Sequence, residues 1–376
     1  MDIRAAVVRE KGGPFRIEKL QLDAPQPGEV LVKVEACGIC HTDLIVRDQF
    51  YPAPMPIVLG HEGGGIVEAV GAGVKSVKPG DRVLMSFAAC GTCPSCRDGA
   101  LAYCWHHMEM NFSGFRYSGT EWNVPAPLSK KGKGGAREQI NGSFFNQSSL
   151  ATHAMATEAN VVVVENSDVD LKILAPLGCG LQTGAGAILN TLKPGIGSSL
   201  VIMGAGNVGL AAVMAAKLVK CDPIIVVDTV PSRLKLAKQL GATHTINGAK
   251  ENVAEAVKKI HPGGVQYSID STGNPNVLRT AFEVLHSRGI CGLIGGSKIG
   301  TEVNIDMTHL LFGRTVRGIL QGDSRPKKFL PELINIYRDG LFPIERLITH
   351  YALENIETAV SDMKSGKTIK PVLLMN

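Results

Sequence analysis

Four of the nine cysteines crowd into fifteen residues: Cys90, Cys93, Cys96 and Cys104. Two Cys-x-x-Cys steps and a fourth thiol can close a tetrahedral shell around Zn²⁺ on a lobe with little core of its own. An iron–sulfur cluster is the rival reading of that spacing. Three other stretches carry thiols, acids or an imidazole: Cys37-Gly38-Ile39-Cys40-His41-Thr42-Asp43, Gly60-His61-Glu62 and Gly178-Cys179-Gly180. Two thiolates, one imidazole and an open fourth position make a catalytic rather than a structural zinc site. Spacing alone cannot join residues so far apart, and a lone histidine beside glycine is more often structural than a ligand.

A second chemistry is written in residues 199–228. An apolar run reaches Met203, then comes Gly204-Ala205-Gly206-Asn207-Val208-Gly209, then an apolar helix pattern, then Ile224-Ile225-Val226-Val227-Asp228. That is a buried strand, a tight turn, a helix opened by Asn207 and Val208, and a second strand ending in an acid. Gly204 permits the turn, Gly206 lets a pyrophosphate approach the helix N-terminus, and Gly209 lets helix and strand pack closely. Asp228 is placed to accept hydrogen bonds from ribose hydroxyls. Its charge would repel a 2′-phosphate, so NAD is expected rather than NADP.

These sites need elements to hold them. The chain has 376 residues, 44% of them apolar, which predicts two domains with sizeable cores. The net charge of +5 comes without a dense basic block carrying aromatics, so no nucleic-acid partner is expected. The cluster at Lys130, Lys131 and Lys133 reads as a solvated loop. No apolar run reaches membrane-helix length, and the first residues lack the apolar core of a signal peptide. Cys-x-x-Cys spacing in a chain this long suits metal binding in a reducing compartment, so a cytoplasmic protein is expected.

Residues 1–81 read as β-rich, with strands at 5–8, 30–34, 63–70 and 82–85. Residues 105–141 read as one long irregular loop, holding Trp105 and Trp122, before a β pattern resumes over 151–164. A helix is expected over 175–189. After Asp228, helices at 231–240, 253–260 and 275–286 alternate with strands at 265–270 and 289–295. Such alternation predicts a doubly wound parallel sheet in an α/β protein. The tail, from about Gln321, departs from that pattern, with helices at 329–338 and 356–363 and a strand at 371–375. The expected domains are 1–180, with a metal lobe at about 88–106; 181–320; and 321–376 returning to the first.

Taken together, the Gly-His-Glu triplet with Cys40 and Asp43 upstream, the four-cysteine lobe, a mid-chain Cys179 and the glycine motif with Asp228 resemble the zinc-dependent medium-chain alcohol dehydrogenases. The resemblance covers essentially the whole chain. Cys40-His41-Thr42-Asp43, Phe144-Phe145-Asn146-Gln147-Ser148-Ser149 and Gly178-Cys179-Gly180 are most similar to the aryl-alcohol branch. It implies a β-rich GroES-like catalytic domain, a Rossmann-type NAD domain, two zinc ions per chain, and a homodimer or homotetramer. Cys40, His61 and Cys179 would bind the catalytic zinc, with Glu62 a close neighbour. Asp43 would hold the other nitrogen of His61. Cys90, Cys93, Cys96 and Cys104 would bind the structural zinc. Thr42 would accept the substrate's hydroxyl proton. Thr183 and Ile294 would touch the nicotinamide, Arg233 the adenosine ribose, and Lys370 the pyrophosphate region.

The implied reaction is reversible oxidation of a primary alcohol to an aldehyde by hydride transfer to NAD. Tyr51, Phe87, Phe144 and Phe145 would line a pocket suited to aromatic or allylic alcohols. Those aromatics are equally readable as ordinary core. Many family members end the proton relay with a histidine where this chain has Ile45. The remaining exits are His41, or the ribose and water. Within the enzyme class the rival is glutathione-dependent formaldehyde oxidation, for which Arg116 could supply a positive charge. A non-catalytic NAD-binding protein is the rival from another class, but a scaffold needs neither the thiols nor Thr42 at those places.

Overall fold

The structure, a computed structural model, describes residues 1–116, 124–132, 136–165 and 168–375. Trp122 and Lys133 lie outside them. The chain divides into two units. One holds residues 1–179, 325–335 and 344–376, and the other holds 180–324 and 336–343.

The first unit is built on two sheets. One runs in the order Ile57–Val58, Asp2–Val8, Arg16–Leu22, Leu128–Lys131, Arg137–Ile140. The other runs Val161–Val163, Arg82–Met85, Gly63–Val70, Glu29–Gly38, Lys370–Leu374, Ile348–Ala352, with His153–Thr157 also paired to Glu29–Gly38. Glu29–Gly38 is the spine of this sheet. Its mostly apolar residues are buried on both faces, and it delivers the chain directly to Cys40. Gly38 is needed there, because a Cβ would fall 2.0 Å from Glu62 Oε2. Cys40 then begins the helix His41–Arg47.

The second unit carries six parallel strands. In space they run His244–Asn247, Ile224–Asp228, Leu200–Met203, Val265–Asp270, Leu285–Leu293, Thr315–Gly318. In chain order this is 3-2-1-4-5-6, the doubly wound dinucleotide-binding arrangement. The helix Asn207–Leu218 follows the first strand and buries eight residues from Gly209 to Ala216. Close packing explains Gly209: a Cβ there would stand 1.9 Å from the Gly204 carbonyl oxygen.

Three expectations are corrected. Residues 105–141 are not one irregular loop. They contain the helix His107–Phe112 and the strands Leu128–Lys131 and Arg137–Ile140, ordered by packing that local composition does not reveal. The helix read over 275–286 ends at Glu283, and the next strand starts at Leu285, so His286 belongs to the sheet. The helix read over 175–189 is interrupted at Cys179, whose backbone (φ −143°, ψ −85°) is not helical. That break turns the thiol out of the helical row. The strand Arg16–Leu22 was not apparent in the sequence, because its alternation is weak and largely polar.

Candidate metal and dinucleotide sites

Cys40, His61, Glu62 and Cys179 are all buried, and their donor atoms lie within 4.8 Å of one another. They arrive on three pieces of the first unit: Cys40 on a helix N-cap, His61 and Glu62 on the turn before Gly63–Val70, and Cys179 at the break in its helix. Gly60 makes the turn before His61 with φ +94°, and a Cβ there would meet the Leu150 amide at 2.3 Å. Gly178 lies so close to Met85 that a Cβ would be 2.3 Å from its carbonyl oxygen.

Asp43 organises the donors. One carboxylate oxygen accepts the Cys40 N–H at 2.9 Å. The other accepts the Gly60 N–H at 3.0 Å and faces His61 Nδ1 at 3.0 Å. With Nδ1 engaged, His61 Nε2 is left buried without a hydrogen-bond partner. An orphaned imidazole nitrogen beside two thiols is a costly arrangement unless a cation completes it. The donor set of two sulfurs and one nitrogen fits Zn²⁺ with a position open to substrate.

Electrostatics agree with that reading. The neighbouring Cys179 thiol and then His61 draw Cys40 well below the usual thiol range, against its burial. Cys179 is pushed up by Cys40 and by burial. The pair therefore shares one proton that a metal would displace. Burial opposes a charge on His61, but Asp43 and Cys40 outweigh it and raise its pKa.

Glu62 and Lys370 form a buried ion pair. Lys370 Nζ is 3.0 and 2.8 Å from the two Glu62 oxygens and donates to the Ile39 carbonyl at 3.0 Å. Burial raises Glu62 above the ordinary carboxyl value, with Lys370 opposing the rise. Lys370 is only 1% exposed. The residue expected near a pyrophosphate thus has its ammonium committed to Glu62 and the Ile39 carbonyl.

Thr42 is half-buried, with its hydroxyl 3.7 Å from Cys40 Sγ. His41 is exposed at the start of the helix, and Ile45 is buried in the apolar core. Phe145 stacks on the His61 ring at 4.5 Å, and Phe144 meets that ring edge-on at 5.4 Å. Phe112, absent from the sequence reading, joins them: it lies 5.2 Å from Phe145, 5.8 Å from Phe144 and 5.8 Å from Tyr51. His107 bridges Phe112 and Phe87 at 6.1 and 6.5 Å. Both missed residues sit on the helix hidden in the supposed loop. Phe87, Phe144 and Phe145 are buried and Tyr51 is half-buried, so this wall is continuous with the core.

The four lobe cysteines also converge, with sulfurs within 4.8 Å of one another and Cys90 to Cys96 at 3.9 Å. A tetrahedral zinc with bonds of about 2.3 Å requires sulfurs this close, whereas a cluster holds them farther apart on separate irons. Burial opposes ionisation of Cys90, but the Thr92 and Cys93 amides overcome it and bring its pKa to about 6.

In the second unit, Gly204 (φ +94°) turns the chain and Gly206 caps the helix. A Cβ on Gly206 would touch nothing within 4 Å, leaving room in front of the first helical amides for an anion. Asp228 is half-buried and already accepts the Ala205 and Val230 amides, at 2.7 and 2.8 Å. Each oxygen keeps a lone pair for a ribose hydroxyl. Arg233 is half-buried, with Nε lacking a hydrogen-bond partner. Thr183 is buried in the helix Gly180–Gly186, and Ile294 follows the strand Leu285–Leu293 at its carboxyl end. Carboxyl ends of parallel strands are where such sheets bind dinucleotides.

Residues 26–143 match the alcohol dehydrogenase GroES-like domain, and residues 207–336 match the zinc-binding dehydrogenase family. Geraniol dehydrogenase of Castellaniella defragrans is 41% identical over 374 residues, covering 99% of this chain and 97% of that protein. The crystal structure of benzyl alcohol dehydrogenase from Acinetobacter calcoaceticus superposes with a TM-score of 0.94 at 45% identity, covering all of both chains. An S-(hydroxymethyl)glutathione dehydrogenase of Escherichia coli is 33% identical over 383 residues, covering 99% of this chain and 100% of that one.

Two outcomes are expected. Asp43→Asn puts an amide N–H against the Cys40 or Gly60 amide, so metal affinity at the Cys40 site should fall about 10–100-fold while the lobe retains its metal. Competitive chelator titration measures both. Burial lowers His107 from the usual 6.5 to about 4. The unfolded chain therefore binds a proton that the folded chain refuses between those values, and stability is lost as pH falls from 6.5 through 4. His107→Phe should recover about 1–3 kcal/mol of that loss, read from urea midpoints at pH 7 and pH 4.5.

Proposed function

We propose that this chain, which belongs to the zinc-dependent medium-chain alcohol dehydrogenases, oxidises aromatic or allylic primary alcohols to aldehydes with NAD⁺. The observation that carries the reading is the orphaned His61 Nε2 between two thiols, inside a wall of aromatic rings. Cys40, His61 and Cys179 hold one zinc, and Cys90, Cys93, Cys96 and Cys104 hold a second. Zinc, when bound, lowers the pKa of the alcohol hydroxyl, and the nicotinamide accepts the hydride. The remaining work falls to side chains. Asp43 fixes the tautomer and orientation of His61. Thr42, next to Cys40, accepts the hydroxyl proton. With Ile45 apolar and buried, the proton leaves through exposed His41 or through the ribose and water. Phe87, Phe112, Phe144 and Phe145 keep the surroundings dry and match a flat, apolar substrate. Gly204, Gly206, Asn207, Val208 and Gly209 receive the pyrophosphate, Asp228 and Arg233 the adenosine ribose, and Thr183 and Ile294 the nicotinamide. Lys370 neutralises Glu62.

The geraniol and benzyl alcohol enzymes among the relatives support this substrate class. Glutathione-adduct oxidation is the second reading, favoured by the 33% relative. It needs a free cation near the substrate. Arg116 does not offer one, because its guanidinium is buried 3.0 Å from Glu29.

Assembly and location belong to the same reading. The strand Thr315–Gly318 is at one end of the parallel sheet, and Met307, Leu311 and Phe312 just before it are 82%, 82% and 60% exposed. An open edge with apolar flanks suits a homo-oligomer. All nine cysteines are free, which suits the reducing cytoplasm. Among the described residues no helix is long and apolar enough to cross a membrane.

With NAD⁺, turnover should favour benzyl, cinnamyl and geranyl alcohols over ethanol and vanish on zinc chelation. A preference for S-(hydroxymethyl)glutathione would move the chain to the second reading. Light scattering should give two or four times the 39.9 kDa chain mass.

A further inference from the structure

Gln147 is 1% exposed and makes four hydrogen bonds, all of them to groups around the metal donors. Its Nε2 donates to the His61 carbonyl and to the Ser86 carbonyl, both at 3.1 Å. Its Oε1 accepts the Gly63 N–H at 3.2 Å and the Ser149 hydroxyl at 2.8 Å. The backbone partners determine which end of the amide is which: two carbonyls need a donor and one N–H needs an acceptor. Ser86 extends the chain of contacts, because its hydroxyl donates to the Gly178 carbonyl at 2.7 Å, one residue before Cys179. A single amide therefore grips the peptide of His61 on one side and, through Ser86, the peptide that presents Cys179 on the other.

The segment bearing Gln147 is bent to put it there. Ser143, Phe145, Asn146 and Ser148 all have φ between +49° and +58° without being glycine. Each such residue is disfavoured by roughly 1 kcal/mol or more and persists only where the surroundings insist on it. Here the surroundings do insist. Ser148 Oγ accepts the Phe144 N–H and donates to the Val58 carbonyl, at 2.9 and 2.7 Å. Asn160 Nδ2 donates to the Phe145, Asn146 and Ser86 carbonyls, each at 3.2 Å. The same bend places Phe145 on the His61 ring.

Asp43 holds Cys40 and the His61 ring, but it makes no bond that reaches Cys179. We propose that Gln147 is the positioning residue that supplies the missing link, setting the separation of His61 from Cys179 and thereby the coordination geometry at the Cys40–His61–Cys179 site. This rests on the zinc reading given above. The Gln147 amide is spent on four protein groups. It acts through the two peptides it holds, so its loss should distort the site without altering dinucleotide binding.

The test uses the full-length enzyme with zinc, and with Co²⁺ exchanged into the Cys40 site as a spectroscopic probe. Gln147→Glu keeps the shape and both acceptor contacts but removes the two donated bonds. The expected result is a shifted ligand-field absorption of the Co²⁺ enzyme and release of one of two zinc ions to a chelator at least 10-fold faster. Release from the four-cysteine lobe and the Kd for NADH should stay within twofold of the parent. Val257→Ala, a core truncation in the other unit, controls for general loss of stability and should leave spectrum and release unchanged. If Gln147→Glu does not fold, Ser86→Ala, which removes the hydroxyl bond to Gly178, takes its place with the same expected shift. An unchanged spectrum and release rate in the variant that folds overturns the proposal for Gln147. Should Cys40→Ser bind as much zinc as the parent, the underlying zinc reading fails instead.

Discussion

The carboxylate of Asp43 is the contact on which the proposed metal site depends most. It is fully buried, and it stays there because three N–H groups point at it. Those groups belong to the helix start at Cys40 and to the turn carrying His61, segments far apart in the chain. One carboxylate therefore does for two donor segments what a ladder of backbone bonds does for two strands. It also keeps a proton on Nδ1, so Nε2, the nitrogen facing the sulfurs, is the one that can give up its proton and offer a lone pair to a metal.

Charge balance explains why so many ionisable groups tolerate burial together. Asp43, Glu62, Cys40 and Cys179 are acids within one dry region, and the buried ammonium of Lys370 pairs with Glu62 at 2.8 Å. Removing one partner of such a pair leaves an uncompensated charge in a low-dielectric setting, which is strongly unfavourable. The charges of His61 and Lys370 also favour a thiolate at Cys40. In the zinc reading proposed above, a dication held by Cys40, His61 and Cys179 would displace the protons that these groups share. The aromatic rings around His61 strengthen these interactions by keeping water away.

Much of this was readable in the chain because it is local. The lobe cysteines, the Gly-His-Glu turn and the Gly204–Gly209 turn each keep their spacing within a few residues, and spacing is what a sequence displays. Asp43 was legible for the same reason, as the third residue after Cys40. Gln147 was not. Its bonds to His61 and Ser86 span 86 and 61 residues, and no local pattern announces them. Phe112 and His107 stayed hidden because glycine-, serine- and asparagine-rich surroundings disguised a short helix. Lys370 was visible as a basic residue, but only packing shows that its charge is turned inward to Glu62. The helix boundary near Glu283 was missed because Val284 and Leu285 fit either element equally well.

The first unit closes with a strand made late. Lys370–Leu374 lies against Glu29–Gly38, and Lys370 reaches back 331 residues to the Ile39 carbonyl. During synthesis the ribosome delivers Cys40, His61, Glu62 and Cys179 long before that lysine. For all that time Glu62 lacks its counter-charge and the central strand has an unpaired flank. The nascent chain can expose every metal donor yet cannot bury them in their final charge state. The region thus gains this counter-charge only once residue 370 has been made, and a truncation before it would remove that charge without altering Cys40, His61 or Cys179.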